Sequence, residues 1–176
     1  MQKRKLQIGI IGPEKKNLPK NNSAKTMLDM SFAMGKQLAQ AGAILITGGC
    51  SGVMEAACRG AFENGGITVG TPGRNRLTSN DFVTVEICTP MDVGDYLFAG
   101  ILSADVIIVL PGDAGTIAEL AIAYRYRKPL IFIKDFGESI LGNLFDSLPK
   151  DYPSYVTLNA KEAVDLAIKI AEETLI

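Results

Sequence analysis

The sequence contains no histidine among its 176 residues. Histidine is the commonest metal ligand and the usual proton acceptor beside a catalytic serine or cysteine, so its absence removes those mechanisms from consideration. Any chemistry must depend on carboxylates, arginine, lysine, tyrosine or cysteine. We therefore expect no metal site.

Cysteine is also scarce, and the three residues Cys50, Cys58 and Cys88 form no Cys-x-x-Cys pair. An odd number of cysteines without a secretory signal is typical of free thiols in a reducing compartment. This pattern indicates a cytoplasmic protein.

Long apolar runs and a strong net charge are missing as well. The longest apolar runs, Ala43–Ile46 and Val106–Leu110, are far shorter than the roughly 20 residues of a membrane-spanning helix. The apolar stretch after the basic N-terminus is interrupted by Gly9, Gly12 and Pro13, which favours a strand over a signal peptide. A net charge of −1 is ordinary for a globular protein. We expect neither a membrane nor a nucleic acid as partner.

Short apolar runs alternate with segments of helical period along the whole chain. Several runs, such as Val106–Leu110, are apolar at every position, which is typical of strands covered on both faces. The pattern predicts a single α/β Rossmann-like domain over residues 1–176, with a parallel sheet of about seven strands and helices on both faces. The predicted strands are Leu6–Ile11, Ala43–Thr47, Ile67–Val69, Val83–Cys88, Val106–Leu110, Leu130–Ile133 and Tyr155–Leu158. The predicted helices are Ala24–Gln40, Gly52–Glu63, Val93–Ser103, Thr116–Tyr126 and Ala160–Thr174.

The predicted helix Val93–Ser103 has little polar surface, and Phe98 and Ile101 belong to its apolar set. A helix that is apolar nearly all round must be buried somewhere. We therefore expect a homo-oligomer, a dimer or a tetramer, with this helix in the subunit interface.

A glycine-rich loop follows the strand Ala43–Thr47 and opens the next helix. Its candidate ligand-binding residues are Gly48, Gly49, Cys50, Gly52, Val53 and Met54. Glycines let the backbone approach a phosphate, and the helix N-terminus attracts the anion. The alternative is purely structural, with the glycines permitting a tight turn and Ser51 capping the helix. The spacing matches neither G-x-G-x-x-G nor the P-loop, which disfavours ordinary dinucleotide binding and ATP hydrolysis.

A second loop of the same kind follows the strand Val106–Leu110. Its candidate ligand-binding residues are Pro111, Gly112, Asp113, Gly115 and Thr116. Because the carboxyl ends of parallel strands lie at one edge of a sheet, we expect both loops to share a pocket.

Glu119, three residues after Thr116, has two competing interpretations. Thr-x-x-Glu is the capping-box pattern, in which both side chains satisfy N–H groups at a helix start. Alternatively, a carboxylate in the first helical turn faces the ligand and acts on it. The residues alone leave both open.

The two loops resemble those of the lonely-guy family of phosphoribohydrolases, also called lysine decarboxylase-like, and of its short prokaryotic relatives named as molybdenum-cofactor-carrier-like proteins. The motifs that carry the resemblance are Ile8–Gly12, Gly48-Gly49-x-x-Gly52-Val53-Met54-Glu55-Ala56-Ala57, Gly65–Gly70, Ser103–Asp105, Pro111-Gly112-x-x-Gly115-Thr116-x-x-Glu119 and Lys128-Pro129. The resemblance implies a homo-oligomer whose loops bind nucleoside monophosphates. In active members the N-glycosidic bond is hydrolysed, and Glu119 matches the catalytic glutamate.

The chain departs from the family pattern at two positions. Tyr96 stands where the family has its catalytic arginine, and Asp113 stands where it has a second glycine. The first change removes a positive charge, and the second adds a negative charge that would oppose an anion. Arg59, Arg74 and Arg76 are the candidates to replace the lost charge.

The sequence therefore predicts a protein that binds a phosphorylated nucleotide-like ligand, either a nucleoside monophosphate or a phosphorylated pterin such as the molybdenum cofactor. Catalysis is expected to be weak or absent, and no cofactor is required. The alternative is a nucleoside 5'-monophosphate phosphoribohydrolase that releases base and ribose 5-phosphate. A scaffold without ligand is the third interpretation.

Overall fold

The structure is a computed structural model that describes residues 4–89, 96–134 and 146–174, without the side chains of residues 96–98. Within those ranges seven strands form one parallel sheet. The strands are β1 (Gln7–Ile11), β2 (Ile44–Thr47), β3 (Ile67–Gly73), β4 (Val85–Cys88), β5 (Val106–Val109), β6 (Leu130–Ile133) and β7 (Ser154–Thr157). The helices are α1 (Ser23–Gln40), α2 (Val53–Phe62), α3 (Tyr96–Ser103), α4 (Ala114–Arg125) and α5 (Ala160–Thr174), and a short 3-10 helix spans Lys15–Asn17.

The order of the strands across the sheet is β4-β3-β2-β1-β5-β6-β7. The chain moves outward from β1 to β4 and then returns to place β5 on the other side of β1. Strand order therefore reverses between β1 and β5, and the crevice at such a switch point is where open α/β sheets bind ligands. The predicted parallel Rossmann-like fold is confirmed.

Two apolar cores lie on the two faces of the sheet. Val106 and Ile108 of β5 belong to the core under α1, α2 and α5. Ile107 and Val109 of the same strand belong to the core that α3 and α4 cover. Because successive side chains of a strand point to opposite faces, a strand between two cores is apolar at every position.

β3 is longer than the predicted strand Ile67–Val69 and reaches Gly73. Its pairing with β2 ends at Gly70, and the remainder pairs with β4 after a shift of register. Pro72 is tolerated there because that part of the strand has no neighbour on the β2 side.

α4 begins at Ala114, two residues earlier than predicted. Asp113 is its N-cap, and the Asp113 carboxylate accepts a hydrogen bond from the Gly115 N–H at 3.1 Å. In α3, Ile101 is only 3% exposed and packs in the core of its own chain, so it needs no partner subunit to bury it. The predicted start of that helix at Val93 and the side chain of Phe98 lie outside the described residues.

Candidate functional site

A cavity of about 170 Å³ opens at the switch point, where the chain leaves β1, β2 and β5. Its described lining consists of Gly12, Glu14, Lys16, Asn17, Gly48, Cys50, Met54, Asp113, Gly115, Thr116 and Glu119. Both predicted glycine-rich loops therefore reach one cavity, together with a third segment, the connection between β1 and α1.

The loop after β2 contributes Gly48, Cys50 and Met54 to this lining. Gly49 and Gly52 of the same loop do not line the cavity. Gly49 has φ +79°, and a Cβ there would come within 2.7 Å of the Ser79 Oγ. Gly49 therefore allows the β3–β4 loop to approach rather than a ligand.

Gly52 permits a backbone contact within the protein. It has φ +75°, and a Cβ would lie 2.5 Å from the Lys15 nitrogen and 2.6 Å from the Pro13 oxygen. Val53 is fully buried, and its N–H donates to that same Pro13 oxygen at 3.2 Å. The space that the sequence analysis assigned to a phosphate at Gly52 is thus filled by the β1–α1 segment.

Ser51 does not cap α2. The N-cap of that helix is Gly52, and no side chain caps it. The Ser51 hydroxyl instead accepts a hydrogen bond from the Lys15 N–H at 3.3 Å. The structural interpretation of Ser51 is therefore wrong, because the hydroxyl serves the neighbouring loop.

The loop after β5 contributes Asp113, Gly115, Thr116 and Glu119 to the cavity, whereas Pro111 and Gly112 are absent from its described lining. A Cβ at Gly112 would lie 2.1 Å from the Thr116 Oγ1. Gly112 therefore makes room for the Thr116 side chain.

The Thr116 hydroxyl is the buried polar group that this site leaves without a partner. Thr116 is 1% exposed, and its Oγ1 makes no hydrogen bond. A capping box would use this hydroxyl on a backbone N–H, but Asp113 occupies the N-cap position. The capping-box interpretation of Thr116 and Glu119 is wrong, because the helix starts earlier than that pattern requires.

Glu119 lies one turn further along α4 and lines the same cavity. It also lines a small adjoining pocket of about 10 Å³ that Ile46 and Ile101 help to form. Burial, and secondarily the charge of Asp113, raise the pKa of Glu119 to about 8. The carboxyl group is therefore mostly neutral at pH 7, and in that form it can donate a hydrogen bond to a ligand.

Among the described residues that line the cavity the cation is Lys16, which is not among the residues predicted from the sequence. Its ammonium group lies 3.0 Å from a Glu14 oxygen, and the hydrogen bond to that carboxylate raises the pKa of Lys16. Arg59 stacks over the Phe32 ring at 5.1 Å, and Arg76 lines a different cavity beside β4. Arg74 is also absent from the described lining. Lys16 could have been predicted from its position shortly after β1, the strand that pairs with β5.

Cys50 and Tyr96 complete the predicted site. Cys50 is half-buried in the cavity wall, and burial raises the pKa of its thiol. The backbone of Tyr96 starts α3, but its side chain lies outside the described residues. Within the described ranges no three histidine, cysteine, aspartate or glutamate side chains come together to hold a metal.

The model of the SLOG cluster4 family matches residues 5–164. The chain belongs to that family. A protein of Archaeoglobus fulgidus is 33% identical over 129 residues, which are 73% of this chain and 80% of the relative.

Solved structures of the same fold include proteins described by the ligand they bind. The molybdenum cofactor carrier protein of Chlamydomonas reinhardtii is 30% identical, with a TM-score of 0.82 over 96% of this chain and 99% of that one. The molybdenum cofactor binding protein of Rippkaea orientalis is 29% identical, with a TM-score of 0.81 and the same coverage. The predicted family resemblance is confirmed.

In the described residues no helix is long and apolar enough to cross a membrane.

Proposed function

We propose that this protein binds a phosphorylated, nucleotide-like small molecule in the switch-point cavity and acts as a carrier rather than an efficient enzyme. The phosphorylated pterin of the molybdenum cofactor is the first candidate ligand, and a nucleoside monophosphate is the second. The observation that carries the proposal is the Thr116 hydroxyl, which is buried without a partner in a residue that lines the cavity. A buried hydroxyl that lacks a hydrogen bond costs free energy, and a ligand oxygen would remove that cost.

The start of α4 supports an anionic ligand. Thr116 and Gly115 lie in the first turn of this 12-residue helix, where the helix dipole favours negative charge. The cavity of about 170 Å³ is smaller than the 300–1,000 Å³ typical of complete small-molecule sites. We therefore propose that it takes the phosphate end of the ligand, with the ring system lying further out.

Weak catalysis follows from the state of Glu119. Stabilising a ribosyl cation requires an ionised carboxylate, and the raised pKa of about 8 keeps this group mostly protonated at pH 7. No arginine lies in the described lining of the cavity to favour ionisation. The described lining thus lacks the guanidinium charge that would favour an ionised Glu119.

The second candidate function is hydrolysis of nucleoside 5'-monophosphates, and the position of Glu119 in the cavity favours it. A positive charge on the bound substrate, or an arginine of a second subunit, would lower the pKa of Glu119 and restore its charge. Release of ribose 5-phosphate from AMP or CMP at about 1 s⁻¹ or faster, as in typical enzymes, would establish this function instead.

The test compares two threonines that share buried, unpartnered hydroxyls. Thr116 lines the cavity, whereas Thr157 at the end of β7 does not. Native mass spectrometry of the purified wild-type protein should show a bound phosphorylated molecule. Thr116→Val should lose most of that bound mass, while Thr157→Val should retain it.

Both variants should fold, because valine has the shape of threonine and removes an unsatisfied hydroxyl. Equal retention of the ligand by Thr116→Val and Thr157→Val would contradict the proposed site. A wild-type protein that carries no phosphorylated molecule and does not bind AMP in calorimetry would overturn the function itself.

A further inference from the structure

The described wall of the cavity contains more negative than positive groups. Glu14, Asp113 and Glu119 are the acids, and Lys16 is the base. A phosphate group would meet repulsion there from each acid that is ionised, and an acid without another partner would also compete for the Lys16 ammonium group. Binding of an anion in this cavity therefore requires a group that attracts it.

Two of the three acids are engaged or neutral. The Asp113 carboxylate accepts hydrogen bonds from the Gly115 N–H and from the Asn17 Nδ2. Glu119 is mostly protonated at neutral pH, because its half-buried position in the cavity wall and the charge of Asp113 raise its pKa to about 8. Glu14 is left as the acid that competes with a ligand for the Lys16 ammonium group, 3.0 Å away.

The backbone of Lys16 is held in place at the rim of the cavity. The Val53 N–H donates to the Pro13 oxygen, and the Lys15 N–H donates to the Ser51 hydroxyl. On the other side, the Asn17 amide reaches Asp113 across the cavity. The segment before and after Lys16 is thus tied to both glycine-rich loops.

The side chain of Lys16, by contrast, is held by an exposed ion pair with Glu14. It is 72% exposed, and exposed ion pairs such as Lys16–Glu14 contribute little to stability. An ammonium group held this weakly can exchange one oxygen partner for another at small cost. A phosphate offers three oxygens and a higher negative charge than a carboxylate.

We propose that Lys16 is the residue that binds the phosphate group of the ligand, and that Glu14 is the internal competitor which the phosphate displaces. This inference rests on the proposed function, since it needs an anion in the cavity. It assigns recognition of the anion to the β1–α1 segment, with Thr116 of the loop after β5 as the hydroxyl donor.

The probe is inorganic phosphate, because it is independent of the identity of the pterin or base. Phosphate is titrated into the ¹⁵N-labelled full chain at constant ionic strength, and the amide resonances of Gly115 and Thr116 are followed. We expect Lys16→Gln to weaken binding roughly tenfold, as expected for one lost charge-assisted hydrogen bond. Lys20→Gln, an exposed lysine beyond the cavity, is the matched control and should bind as the wild type does.

The opposite result is expected when the competitor is removed. Glu14→Gln should tighten phosphate binding several-fold, because Lys16 then loses its internal partner and the cavity loses a negative charge. Lys16→Arg, which keeps the charge, should recover most of the affinity. A purely structural role for Lys16 would not give these opposite changes.

The outcomes separate this inference from the function on which it rests. Undiminished binding by Lys16→Gln, or weaker binding by Glu14→Gln, overturns the assignment of Lys16 and leaves the cavity as the site. Wild-type resonances that do not respond to phosphate overturn the anion site, and the inference fails with it. Thermal denaturation confirms that each variant is folded.

Discussion

Individual side chains in this cavity have properties that their neighbours impose. Glu119 is mostly protonated because partial burial disfavours its charged form and because the charge of Asp113 adds to that effect. Thr116 keeps an unpaired hydroxyl because Gly112 leaves room for it and Asp113 takes the capping role. Such locally unfavourable arrangements are common where a site is arranged for a ligand rather than for stability.

The raised pKa of Glu119 predicts how stability depends on pH. Between pH 4.5 and about 8 the unfolded chain releases this proton and the folded chain keeps it, so the free energy of unfolding falls as pH rises. One pKa unit corresponds to about 1.4 kcal/mol. Across this pH window we therefore expect the free energy of unfolding of the wild type to fall by on the order of 2–4 kcal/mol relative to that of Glu119→Gln. Urea denaturation at pH 5 and pH 8 measures the difference.

Glu173→Gln makes the same exchange at an exposed position of α5 and is the control. The expected result is a Glu119→Gln variant that is more stable than wild type, with a gap that widens towards pH 8. A gap that stays constant between the two pH values would show that Glu119 is ionised in the folded protein.

Helices α1 and α2 approach so closely that their backbones touch. A Cβ at Gly35 would lie 1.9 Å from the Ala57 oxygen, and one at Gly60 would lie 2.0 Å from the Phe32 oxygen. Each glycine faces a backbone carbonyl of the other helix, which cannot turn aside as a side chain can. This contact sets the position of α2 and therefore of the loop that precedes it.

The close contact predicts that Gly35→Ala and Gly60→Ala are destabilising. Added methyl groups in a packed contact typically cost about 1–3 kcal/mol, whereas alanine in an open helical position is favourable by up to about 1 kcal/mol. Gly115→Ala is the control, because the atom nearest to its Cβ would be 3.5 Å away. Urea midpoints should fall for the first two variants and stay or rise for the third. Equal midpoints for all three would refute the contact.

For the molecule as a whole, the predicted homo-oligomer stays a prediction. α3 has one face in its own core through Ile101, while the next residue, Leu102, is 39% exposed. An apolar helix with an exposed leucine favours contact with a second subunit.

We expect light scattering at micromolar concentration to give the mass of a dimer or tetramer, and Leu102→Glu to shift it towards the monomer. Leu158→Glu places the same charge on a leucine that is 60% exposed after β7 and should leave the mass unchanged. A monomeric wild-type protein would contradict the prediction. An oligomer that Leu102→Glu does not affect would place the interface away from this helix.

The sequence by itself determined the order and type of the elements, because apolar periodicity reports directly how each segment is buried. Val106–Leu110 was recognisable as a strand covered on both faces since all of its residues are apolar, and both glycine-rich loops were recognisable from their place after strands. These are local properties, which neighbouring residues of one chain segment carry without reference to the rest of the fold.

Only the tertiary structure decided which residues meet in the cavity. Lys16 and Asn17 appear in the sequence as part of a polar connection, yet Asn17 contacts Asp113 from 96 positions away. Gly52 is a predicted phosphate-binding residue, yet the space beside its Cα is filled by the backbone of that same connection. The reason is the switch point: β1 and β5 are distant in sequence but adjacent in the sheet, so the segments that follow them converge only once the sheet has formed.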